Sequence, residues 1–167
     1  MDFKELARAR HSCRAYRGDP VEDEKLAAVL EAARLAPTAC NRQAFRLYVI
    51  PTDRHQEALR ALYGRDWLAQ APLVLGIAGD PAENWVRKDG RNYVDVDCAI
   101  VMDHVILQAA DLGLGTCWIG AFDPPAARLL LELPPGWEPI AFTPLGYPKD
   151  PGRPKARKPL GEIVVRM

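Results

Sequence analysis

Arg10, Ser12 and Arg14 alternate within RARHSCRAYRGDP, residues 8–20. In an extended segment, alternate side chains project to one side. Two guanidiniums flanking a hydroxyl make a cradle for a phosphate: each Arg offers a planar fork of donors and the Ser adds one more. Each charge-assisted bond contributes roughly 1.5–3 kcal/mol, so three or four hold a dianion firmly. Ser12 is the only serine in the chain. His11, of opposite parity, points either toward the ligand's body or back into the core.

A second basic cluster, Lys149, Arg153, Lys155, Arg157 and Lys158, lies in the Pro-rich stretch PKDPGRPKARKP. Either cluster alone is ordinary solvated surface. They become one site only if the fold joins the two ends of the chain.

Two further stretches can meet a flat ligand. APTACNRQAF, residues 36–45, carries Asn41 and Gln43, whose amides donate and accept at once and so suit a ring edge of alternating carbonyl and N–H groups. Asn41 equally suits a turn. GLGTCWIGAFD, residues 113–123, has Gly113, Gly115 and Gly120. It follows a helical pattern rather than opening one, so it is no dinucleotide fingerprint. Its glycines let backbone N–H groups approach a ligand, or cap a helix at Gly113.

Other chemistries are poorly supplied. Cys13, Cys40, Cys98 and Cys117 are scattered, with no pair at zinc-ligand spacing. There is no H-E-x-x-H and no nucleophile elbow around Ser12. His104 reads as a satisfied core residue, and Asp95, Asp97 and Asp103 do not all share one helix face. An organic cofactor is therefore expected to carry any redox chemistry.

The elements that must position these residues follow from periodicity. Helices are expected at 2–9, 22–36, within 53–64, at 95–112 and at 124–133. Strands are expected at 45–51, 72–80, 116–122, 138–147 and 161–167. Residues 72–80 are apolar on both alternating faces, as in a strand buried on both sides. Residues 80–93 read as an irregular excursion. The 95–112 helix is apolar on most sides and needs more cover than a chain of 167 residues readily provides, which points to a dimer.

Lys plus Arg and Asp plus Glu both number 22, so the net charge is zero, which disfavours a general nucleic-acid binder. The longest apolar run is too short to span a bilayer and the first residues hold no apolar signal core, so the expected location is cytoplasmic, with reduced thiols and no membrane partner. With no linker or repeat, residues 1–167 are expected to form one domain.

RHSCRAY, LEAARLAPTACNRQAF, GLGTCWIGAFD and LGYP…KARKPL, in that order, resemble the FMN-dependent nitroreductase family over about residues 8–165. The resemblance implies an α+β fold, a central mixed and mainly antiparallel sheet flanked by helices, in an intertwined homodimer with FMN at the interface. It implies that Arg10, His11, Ser12 and Arg14, completed by Lys155 and Arg157, grip the FMN phosphate and ribityl chain. Pro37, Thr38, Asn41 and Gln43 reach the flavin of the partner subunit, and Trp118, Ile119, Gly120 and Ala121 cover one side of its ring. Thr38 stands where serine is usual, and Ala44-Phe45 where Pro-Trp is common. Where larger members place a Lys or Asn near the flavin N1 edge, only Arg65 and Asp66 are at hand. The implied activity is hydride transfer from NADH or NADPH through flavin N5 to an electron-poor small molecule (a nitroaromatic, a quinone or an enal) in ping-pong order, with no catalytic side chain needed. The alternative is a flavin-binding module without turnover, and a specialised flavin reaction is open.

Overall fold

The computed structural model describes residues 1–152 and 155–167; Arg153 of the second basic cluster lies outside them. Among the described residues, six α-helices and four strands follow one another as α1 (Phe3–Ala9), α2 (Asp23–Leu35), β1 (Phe45–Pro51), α3 (Gln56–Leu62), β2 (Leu73–Gly79), α4 (Val94–Asp111), β3 (Gly115–Thr116), α5 (Pro124–Leu130), β4 (Glu138–Gly146) and α6 (Leu160–Ile163). Short 3-10 turns lie at Ala39–Asn41, Thr52–Arg54 and Asp66–Gln70.

The sheet order is β1-β2-β4-β3, and every strand pairing is antiparallel. The mixed character expected of the sheet shrinks to one parallel bridge, Ser12 to Thr116. β2 explains the layering. Leu75 and Ile77 face a cluster built with Val29 and Ala33 of α2 and Val101, Met102 and Val105 of α4. Val74 and Ala78 face the other way, onto Leu59 and Leu62 of α3, Ala127 of α5 and Phe142. Helices thus cover both faces of one sheet, which is why β2 lacks a polar alternation. Each fully buried Leu, Ile or Phe here contributes roughly 1.5–3 kcal/mol. A bulge between Ile77 and Ala78 shifts the β2–β4 register and lets Ile140 join Ala141 on the α2–α4 side.

α1 starts with a capping box: Glu5 N–H donates to Asp2 Oδ1 at 2.8 Å and Asp2 N–H to Glu5 Oε2 at 3.2 Å. α5 starts at Asp123, whose Oδ1 accepts from Ala126 N–H, with Pro124 in its first turn. At the far end of β2, a Cβ on Gly79 would overlap Val94 Cγ2, so glycine lets the first turn of α4 pack onto the sheet.

The excursion at 80–93 is a short pinned loop. Val86 bridges Asn92, Trp85 meets Tyr93 edge-to-face at 4.8 Å, and Asn92 Nδ2 donates to Pro81 O. The expected strand at 116–122 is reduced to β3 and a bridge from Ile119 to Phe142. The expected strand at 161–167 is not formed. α6 occupies Leu160–Ile163 and the residues after it are exposed, because a β-patterned segment without a neighbouring edge has no ladder to join.

Candidate anion-binding site

The segment after α1 runs beside β3. Ser12 bridges Thr116, and Cys13 N–H donates to Thr116 O at 2.8 Å. The expected alternation is realised: Cys13 is buried, while Ser12 and Arg14 are exposed on the other side. Cys13 is the anchor, packed with Tyr16 and Ala71, and the Tyr16 hydroxyl donates to Cys13 O at 2.8 Å. Burial pushes the Tyr16 phenol up strongly, so it stays protonated as a donor.

The chain's far end returns to the same place. Lys149 N–H donates to Ala15 O and Arg17 N–H to Tyr147 O, both at 2.9 Å. Lys155 Nζ then donates to Ala7 O at 2.7 Å and Arg8 O at 2.8 Å, binding the strap to the last turn of α1, where a cation is favoured. Between these two segments lies a cavity of about 680 Å³ lined by Arg10, His11, Ser12, Arg14, Lys155 and Arg157, with Ala15, Asp150, Gly152 and Ala156. A second cavity of about 820 Å³, between α1 and the strap, shares His11, Gly152, Lys155 and Arg157 with it.

Its electrostatics are one-sided. Among the described residues, Arg10, Arg14 and Arg157 join no ion pair, and Asp150 is the one carboxylate on the wall. The Lys155 ammonium is held below its ordinary value, first by loss of water and then by Arg10 and Arg157. Mutually repelling cations around an open volume are balanced by an anion. His11 Nε2 is buried with no partner, and its Nδ1 lies 3.3 Å from Ala9 O. Cys117, next in chain to Thr116, has its thiol pushed up chiefly by burial, against opposing pulls from Arg14 and Ser12.

The amide-bearing loop lies elsewhere. Cys40, Asn41 and Gln43 have φ of 50°, 54° and 51°, left-handed values that non-glycine residues seldom adopt. Thr38 Oγ1 accepts from Gln43 N–H at 3.0 Å, and Gln43 Nε2 donates to Asn41 Oδ1 at 3.0 Å. Asn41 and Gln43 are exposed, and neither they nor Pro37 and Thr38 line the basic cavity. In the glycine-rich segment, Ile119 is buried and exchanges backbone hydrogen bonds with Phe142, while Trp118 is 41% exposed and Gly120 and Ala121 are exposed. These four do not line the cavity either. One chain therefore joins the two basic clusters but not the three groups of candidate residues.

Arg65 and Asp66 line a different hollow beside α3. His104 Nδ1 sits 2.9 Å from Ile100 O, satisfied within its own helix. Among the described residues no cluster of three His, Cys, Asp or Glu could hold a metal, and no helix is long and apolar enough to cross a membrane. Two site features escaped the sequence. Gly152, with φ of 82°, lies against the His11 ring, a contact that the Pro-rich composition of the stretch does not signal. Asp97, 3% exposed, accepts from Ala39 N–H at 3.0 Å, a contact across 58 residues that no local pattern signals.

Comparison with known proteins follows the same lines. The nitroreductase family model matches residues 7–64 and 54–147. The chain is 30% identical to an NADH dehydrogenase of Thermus thermophilus over 196 aligned positions, covering 99% of this chain and 96% of that protein. It is 27% identical to an FMN reductase [NAD(P)H] of Bacillus subtilis, covering 89% of this chain and 66% of that protein. It superposes on the crystal structure of a nitroreductase family protein from Clostridium difficile 630 with a TM-score of 0.89, at 40% identity, covering 99% of this chain and 98% of that one.

Proposed function

The chain belongs to the nitroreductase family, and on that premise we propose that it is an FMN-dependent oxidoreductase that takes reducing equivalents from NADH or NADPH and delivers them to an electron-poor small molecule. A nitroaromatic, a quinone or an enal meets that description, and donor and acceptor use the same place in turn. The observation that carries the reading is the cavity in which Arg10, Ser12 and Arg14 face Arg157.

The donor set suits a phosphate monoester. Guanidiniums from both ends of the chain neutralise the dianion, and the Ser12 hydroxyl adds a directional bond. His11 lines the same cavity, and this reading gives its ring to the phosphate or the first ribityl hydroxyls. Lys155 serves chiefly as a brace: two of its three N–H bonds hold α1 to the strap, and its charge adds to the field. When bound, FMN would supply the redox chemistry. The protein's part is positioning and electrostatics. Asn41 and Gln43 offer amides to the ring edge of the partner's cofactor, and the backbone at Trp118–Ala121 covers one side of the ring.

That division requires a homodimer. Supporting it, Phe3, Leu160, Ile163 and Val165 are exposed apolar side chains at the two ends of the chain, and Asn41 lies away from the cation cavity. Residues 1–167 act as one domain in this reading. The competing role, a flavin carrier without turnover, shares the cavity and differs in one result. Anaerobic mixing with NADH and NADPH bleaches the bound flavin of an oxidoreductase and leaves that of a carrier unchanged.

A further inference from the structure

The loop at 38–43 is costly to hold. Three of its six residues are left-handed without being glycine, and the side chains of residues 40–43 are exposed, so burial does not enforce their shape. Its internal bonds, Thr38 Oγ1 to Gln43 N–H and Gln43 Nε2 to Asn41 Oδ1, move with it and cannot fix it to the body of the protein. Asp97 can. It sits in the first turns of α4, its own N–H donating to Tyr93 O, between the core residues Val94, Cys98 and Val101. Its Oδ1 accepts from Ala39 N–H, at the start of the 3-10 turn, and its Oδ2 is buried with no partner. A carboxylate kept in the interior with half its acceptor capacity unused is expensive. An apolar residue of similar size would serve packing better.

We propose that Asp97 is a positioning residue: through Ala39 N–H it clamps the strained loop in the one conformation that presents the Asn41 and Gln43 amides to the flavin. This rests on the flavin reading above. What the clamp needs is an oxygen acceptor on a rigid helix, so Asn in place of Asp97 preserves it and Ala abolishes it. Removing the donor has the same effect as removing the acceptor. Ala39→Pro does so at the first position of a helical turn, where proline is tolerated.

The test uses the full chain, with and without FMN. Amide exchange at residues 40–43 is expected to quicken about tenfold or more in Asp97→Ala and Ala39→Pro, and to stay near wild type in Asp97→Asn. FMN affinity is expected to fall about tenfold in the first two variants. In an Asn41→Ala/Gln43→Ala background the same Asp97→Ala change is expected to cost almost nothing more, because the groups it positions are gone. Equal losses in both backgrounds, or unchanged exchange in Ala39→Pro, overturn the proposal. Ala39→Pro and Asp97→Asn leave the core intact, so the outcome stands even if Asp97→Ala folds poorly. If the wild type takes up no FMN, the flavin reading fails, while the exchange of the flavin-free chain still decides whether Asp97 clamps the loop.

Discussion

Gly152 packs directly on the His11 imidazole: a Cβ there would lie 2.5 Å from His11 Cδ2 and 2.9 Å from Nδ1. The backbone of the C-terminal strap thereby sets where the His11 ring stands, and both line the cation cavity. Gly152→Ala adds a methyl group in a left-handed conformation that costs about 1–2 kcal/mol for a non-glycine residue, and displaces the ring as well. The expected outcome is FMN binding weakened about tenfold with a fall of only a few degrees in melting temperature. Calorimetric titration and thermal denaturation measure the two.

The proposed phosphate cradle makes a sharper prediction. Arg14→Ala and Arg157→Ala each remove a charge-assisted donor set worth roughly 1.5–3 kcal/mol, so FMN affinity should fall about 10- to 100-fold in either. Riboflavin, which lacks the phosphate, should bind both variants as it binds wild type. A titration in which riboflavin affinity falls equally would mean that these arginines support the fold rather than the ligand.

Assembly is read from mass. Size-exclusion chromatography with light scattering should give twice the 18.5 kDa chain mass. A monomer that still binds FMN would remove the cross-subunit role of Asn41 and Gln43.

Stability should decline in alkali. Burial pushes the Cys98 thiol up to about 12 from its ordinary 9.0, with Asp95 and Asp97 adding to the rise. The folded form thus keeps a proton that the unfolded form releases above pH 9. Stability gained from the neutral buried thiol is complete below that value and is lost as pH rises toward 12, by up to about 1.4 kcal/mol per pH unit. Urea denaturation at pH 8 and pH 10.5 should show the loss, and Cys98→Ala should flatten that slope.

What was legible in the sequence was whatever depends on local period or local chemistry. The parity of Ser12 and Arg14 against Cys13 is a two-residue repeat, and the two-sided burial of β2 follows from its unbroken apolar run. Long-range facts were not legible. Residues 161–167 have a strand's composition, but a strand forms only beside a partner strand, and the residues after α6 are exposed and pair with none of the four. That Asp95, Asp97 and Asp103 do not all share one face followed from the helical period, and Asp95 and Asp103 are exposed while Asp97 is buried; the partner of Asp97 at Ala39 is set by how α4 crosses the loop. The left-handed turn at Asn41 suits its residue type; the same conformation at Cys40 does not, and no residue preference signals it. The meeting of Arg14 and Arg157 was reached through the order of four family-like motifs, because nothing in either basic cluster names the other.

The central claim is that both ends of the chain hold an FMN which a nicotinamide donor can reduce. It is tested most directly by purifying the protein under native conditions, recording its visible spectrum, and adding NADH or NADPH without oxygen. The expected result is yellow protein whose flavin bands bleach with at least one donor and return when a quinone or nitroaromatic is added. Colourless protein that takes up no added FMN, or bound flavin that neither donor reduces, would contradict it.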